Sequence, residues 1–174
     1  MRATKKLTLS SIMVALGAVI MALGAMIEVL DLTVCALASL IVVFIYLEIG
    51  SPYTWLTWLC TSLVTFLISS GKPIWLNYFL IFGIYPILKA YIEKLPRPSW
   101  LIVKLLYANA VVWAMFFLME LIFSVPLFEE GAFWLKAVLY VVINVAFVAY
   151  DIFITVCVKI YYARIRPRIS GMLR

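Results

Sequence analysis

The chain contains no histidine, and its three cysteines, Cys35, Cys60 and Cys157, stand far apart with no CxxC spacing. Zinc sites, haem attachment and disulfide frameworks all lack the ligand pattern they need. Each cysteine is therefore read as a small apolar packing residue. A serine-type membrane protease would have no imidazole base. Nucleotide P-loops, HExxH and the DG-rich acidic motif of lipid alcohol transferases are also missing. The chain is read as a non-enzyme without metal or cofactor, so ATP-driven work would require a partner. Charge is scarce as well, at 13% of residues, and only eight of the charged side chains are acidic.

What fills the chain is apolar: 67% of 174 residues are hydrophobic, with a mean hydropathy of +1.16. A soluble domain of this size could not hide that much apolar surface. A membrane helix needs about 20 apolar residues, so six spans use most of the length and leave only short loops and tails. The expectation is an all-α, polytopic membrane protein forming a single integral membrane domain. Its six transmembrane helices fall at about 7–30, 32–49, 53–70, 74–92, 100–125 and 132–162. Gly50-Ser51-Pro52, Gly71-Lys72-Pro73 and Pro126 supply stops, and Pro86 lies inside the fourth helix. Between residues 7 and 49 there is no Gly-Pro break. Charge at mid-membrane is costly, so Glu28 and Asp31 are read as a hairpin turn in water. The N-terminal basic residues, apolar run and Ala22-Leu23-Gly24-Ala25 imitate a signal peptide. The length of the run, and the balance of the remaining spans, favour an uncleaved first helix.

Across six spans, twelve of the fourteen Lys and Arg residues fall on one side. They are Arg2, Lys5, Lys6, Lys89, Lys94, Arg97, Lys104, Lys159, Arg164, Arg166, Arg168 and Arg174, against Lys72 and Lys136 on the other. Short cytoplasmic loops retain positive charge, which places both termini in the cytoplasm. The net charge of +6 is thus a topology signal and no sign of nucleic-acid binding. A basic surface facing anionic lipid is a secondary role it could serve.

Several residues stand out against this background. Ser11, Ala15, Ala18, Ala22 and Ala25 form a stripe of small side chains on the first helix, and Ser10, Gly17 and Gly24 form a neighbouring one. Small residues let helix backbones approach closely in lipid, either within this chain or against a separate membrane protein. Asp151 lies in an apolar run, where a carboxylate must pair, protonate or line a wet cavity; Lys104 and Lys89 are candidate partners. The outer-side acids Glu28, Asp31, Glu129 and Glu130 read as solvated loop groups, whereas Glu120 is embedded in apolar sequence. Asn77, Asn109 and Asn144 are amides in apolar helices, suited to interhelical hydrogen bonds. Trp75, Tyr78, Trp113, Trp134 and Tyr140 lie at depths comparable to Asn77 and Asn144. Interface belts explain such aromatics, but aromatic walls with a few polar groups also make a ligand pocket. The candidate substrate-binding set is Asn77, Trp113, Glu120, Tyr140 and Asn144.

With these residues in view, the chain resembles the substrate-binding S component of energy-coupling factor (ECF) transporters. The likeness rests on Lys5-Lys6-Leu7-Thr8-Leu9-Ser10-Ser11-Ile12-Met13-Val14-Ala15-Leu16-Gly17 and on the small-residue face that follows. Leu30-Asp31-Leu32-Thr33, Ala36-Leu37-Ala38-Ser39-Leu40 and Gly83-Ile84-Tyr85-Pro86-Ile87-Leu88-Lys89 look like a branch whose ligand is not characterised. The family's AxxxA docking motif matches Ala18 and Ala22, with Ser11 and Ala15 as an equivalent nearer the N-terminus. The resemblance implies a vitamin- or metal-type ligand bound from outside and docking on a shared transmembrane coupling subunit. It also implies ATP hydrolysis by two partner ATPases, transport by toppling, and a bacterial plasma-membrane location. Two other readings stand beside it. One is a non-transport scaffold or assembly protein of the MreD kind; the other is a stand-alone secondary transporter using Asp151 or Glu120 as a proton site.

Overall fold

The computed structural model describes residues 3–124 and 133–169. Among these residues the chain is all-helical and forms six rods. They are α1 (Ala3–Met26), α2 (Asp31–Glu48), α3 (Ser51–Ser69), α4 (Ile74–Ile92), α5 (Arg97–Phe123) and α6 (residues 133–169). The turn between α1 and α2 is a short 3₁₀ segment, Glu28–Leu30, and Asp31 opens α2 with a carboxylate at the positive end of the helix dipole. Gly50, at φ 103°, makes the left-handed turn that only glycine takes readily, and Pro52 follows in the first turn of α3. Pro98 starts α5 earlier than the apolar run alone suggests. Ser124, at φ 51°, caps its end two residues before Pro126 by donating its N–H to the Glu120 carbonyl at 3.1 Å.

Five helical stretches are long and apolar enough to cross a membrane: Ala3–Met26, Asp31–Glu48, Ile74–Ile92, Pro98–Phe123 and Ala137–Arg168. At 19 residues α3 matches Ile74–Ile92 in length but is not among these five, and its side chains show why. Its buried positions are Thr54, Thr57, Thr61, Ser62, Thr65 and Ser69, while Leu56, Leu59, Leu63, Phe66 and Leu67 are exposed. That is the reverse of a water-soluble amphipathic helix. Most of the inward hydroxyls are satisfied within the helix: Thr54, Thr57, Ser62, Thr65 and Ser69 each donate to the carbonyl four residues back, at 2.7–2.9 Å.

The helices are distributed over two compact units, residues 1–87 with 152–174, and residues 88–151. In the first, α1 packs on α3 and α2 around Met21, Cys35, Ala38, Val42, Ile74, Tyr78 and Ile87. The contact is close because α1 turns Ser10, Gly17, Ala18, Met21 and Gly24 inward. A methyl group on Gly17 would stand 3.1 Å from Thr61, and one on Gly24 only 2.6 Å from Val34. In the same unit α4 is interrupted. After Ile74–Asn77 it widens into a π-turn over Tyr78–Phe82, then re-forms at Tyr85–Ile92. Pro86 cannot donate to the Phe82 carbonyl, and the Gly83 N–H reaches back five residues to Tyr78 O at 2.7 Å. The Phe79 carbonyl, bypassed by this shift, accepts the Trp58 indole N–H at 3.2 Å, while the two rings stack at 4.9 Å.

Candidate functional site

The second unit brings together the chain's most unusual polar groups. Here α5 and α6 run antiparallel, as the pairing of Asn109 with Tyr140 and Asn144, Tyr107 with Phe147, and Lys104 with Asp151 requires. Along α6, residues 140, 144 and 151 recur at intervals of four and seven, so they share the face that meets α5.

At one end of this seam four charges alternate in a ring. Lys89 lies in the last turn of α4 and Glu93 just past its end, four residues on; Lys104 lies two turns into α5, and Asp151 projects from α6. The Lys89 ammonium donates to the Asp151 carboxylate and, at 2.8 Å, to the Asp151 backbone carbonyl; it pairs with Glu93 at 3.4 Å. Lys104 donates to both Asp151 oxygens and to Glu93 Oε1, each at 3.0 Å. Both lysines are buried, at 5% and 7% exposure. Two cations against two carboxylates leave the ring neutral, the condition under which charge persists in an apolar surround.

Farther along the seam, beyond the Tyr107–Phe147 ring contact at 6.3 Å, lies an amide and phenol cluster. Tyr140 donates its hydroxyl to Asn109 Oδ1, and Asn144 Nδ2 donates to the same oxygen at 3.3 Å and to the Tyr140 carbonyl at 3.0 Å. Asn109 Nδ2 donates to the Leu105 carbonyl at 2.8 Å. These three residues, with Leu105, Val141, Val145 and Val148, line an open groove of about 510 Å³. The groove surface is almost wholly apolar, because the amide and phenol groups in its lining are engaged by one another and by backbone carbonyls.

The structure thus gathers Tyr140 and Asn144 from the expected binding set and adds Asn109. Trp113 is 60% exposed and packs edge-on against Phe116, away from the groove lining. Glu120 is exposed one turn from the end of α5. Asn77 belongs to the first unit, half-buried at the start of α4 beside the π-turn. Glu129 and Glu130 lie outside the described residues. Among the described residues no cluster of metal-ligating side chains occurs, and all three cysteines are free thiols.

On α1 the small residues divide. Ser10, Gly17 and Ala18 are buried within the first unit, whereas Ser11 and Ala15 are exposed and Ala22 is half-buried. Sequence reading left out Glu93, although its spacing of four from Lys89 is an ion-pair signal. It also left out the hydroxyl face of α3, whose recurrence at three and four residues was visible. No family model, curated protein or solved structure matches the chain.

Proposed function

We propose that the chain is a six-span membrane subunit that binds a small molecule and docks on a separate transmembrane protein, as S components of ECF importers do. The observation that carries this reading is the division of small residues on α1. One column, Ser10, Gly17 and Gly24, is used for packing inside the unit. The next keeps Ser11 and Ala15 at the surface, with Ala22 half-buried, among Ile12, Leu16, Val19 and Leu23, which are exposed. In lipid a flat strip of this kind is where a second helix can approach closely. The partner is a coupling subunit served by two ATPases, the ligand is of vitamin or metal type, and the location is the bacterial plasma membrane.

Three further features support a six-span arrangement with both ends inside. Over its 19 residues α3 has no charged side chain, and its exposed face is apolar. In the first unit Lys6 lies over the Tyr53 ring at the α2–α3 turn, and Arg166 reaches Glu48 beside that turn, so the starts of α1 and the end of α6 lie together. Lys72 stands at the other end of α1, donating to Ala25 O at 2.7 Å. That distribution is what the positive-inside bias expects. The ligand would lie in the groove of the second unit, against a lining that includes Asn109, Tyr140 and Asn144.

The test is co-purification with a coupling subunit co-expressed from the same source. Wild type should associate, and Ser11→Trp with Ala15→Trp should lose association while remaining monodisperse in detergent. Ala18 is a poorer probe because it packs inside the unit. Wild type that never associates would remove the reading. The buried ring at Asp151 favours a second reading, a proton-coupled transporter. It would show as ligand uptake in liposomes containing this chain alone, driven by a pH gradient.

A further inference from the structure

The helix α6 does not end where its apolar run does; it passes through a π-turn, Tyr161–Ile165, into a short basic turn, Arg166–Ile169. The Arg166 N–H bonds back to Tyr161 O, five residues earlier. In an α-helix, residues five apart diverge by about 140°; across a π-turn they come back onto one side. Glu48 reports this directly, since it accepts the Tyr161 hydroxyl at 2.9 Å and pairs with Arg166 Nε at 3.2 Å, two groups five residues apart. The same insertion acts on the opposite side of the helix. By the same geometry Lys159 and Arg164, also five apart across the turn, come toward one side of the helix, and Arg168 follows one turn later. All three are exposed and make no ion pair among the described residues.

We infer that this π-turn builds a column of cations, Lys159, Arg164 and Arg168, that holds the phosphate of an anionic phospholipid. The position argues for lipid over any soluble anion. The column continues a helix apolar enough to cross a membrane, and Ile160, Tyr162 and Ile165, between 42% and 48% exposed, are interleaved with it. Such alternation seats the apolar groups at the acyl boundary and the guanidinium groups at phosphate height. Glu48 would neutralise the site but is engaged by Arg166, whose guanidinium also lies 5.1 Å from the Tyr162 ring. The inference rests on α6 crossing the membrane and is independent of any ligand or transport partner.

The experiment is lipid retention by the detergent-solubilised full chain, read by native mass spectrometry with phosphatidylglycerol and phosphatidylcholine offered in equal amounts. Wild type should retain phosphatidylglycerol preferentially. Arg164→Gln with Arg168→Gln should lower that preference by about fivefold per arginine removed, with phosphatidylcholine retention unchanged. Glu48→Gln, which releases Arg166, should raise it. High salt should weaken the preference by screening, and inorganic phosphate in millimolar excess should not displace the lipid. Equal retention of the two lipids by wild type, or a preference untouched in the double arginine variant, would overturn the proposal. Displacement by inorganic phosphate would overturn the assignment to lipid.

Discussion

Asp151 is the residue on which the second unit's polar seam depends most. Its carboxylate meets two lysines, each about 5–7% exposed, whereas Glu93, the other acid of the ring, is about one-third exposed. Substituting Asp151→Asn keeps the shape but leaves two buried ammonium groups to share one carboxylate. Breaking a buried pair costs roughly 3–5 kcal/mol, an upper figure here because Asp151 retains some solvent contact. Glu93→Gln should cost no more than about 1 kcal/mol, as a partly solvated pair does. Thermal unfolding in detergent should therefore show a large drop for Asp151→Asn and a small one for Glu93→Gln. Equal drops would mean that the two acids share the load evenly. The need for a partner at Asp151 was legible in the sequence, because a carboxylate inside an apolar run has few alternatives. That Lys89 and Lys104 both serve it, with Glu93 closing the ring, was not, since that depends on the rotation of three helices.

Among the elements, α1 and α3 make a contact unlike that of a water-soluble amphipathic pair. Their inward faces are rich in glycines, small residues and hydroxyls, with Met21 among them, and many of their large aliphatic side chains are exposed. Close approach replaces hydrophobic burial as the source of contact. Because Val34 stands 2.6 Å from where a methyl on Gly24 would lie, Gly24→Ala forces a backbone shift. Overpacking of this kind costs about 1–3 kcal/mol. Gly17→Ala meets the Thr61 side chain at 3.1 Å, a smaller intrusion, and should cost less. The ranking can be read from denaturation midpoints of the two variants in one detergent, and a reversed order would contradict the packing described. The glycine spacing was visible before the structure. Which of the two small-residue columns packs inward was not, because neighbouring columns on one helix differ only by a rotation.

At the scale of the molecule, the charge distribution makes a direct topological prediction. In a background lacking Cys35, Cys60 and Cys157, single cysteines at Lys72 and Arg168 should label oppositely with an impermeant maleimide. Lys72→Cys should react in intact cells, and Arg168→Cys only after the membrane is opened. Labelling of Arg168→Cys from outside would invert the topology and relocate the proposed lipid site to the outer leaflet.

Length, hydropathy and charge already set the helical class, the approximate helix boundaries and the basic ends. These properties are local: each segment's preference for water or hydrocarbon is close to the sum of its own residues. The π-turns at Tyr78–Phe82 and Tyr161–Ile165, the indole bond to Phe79, the ring around Asp151 and the joint hold on Glu48 are different. Each depends on how one helix is rotated against another. A single inserted residue turns everything after it by about 100°. Only packing in three dimensions chooses among such rotations, because the competing registers bury nearly the same residues.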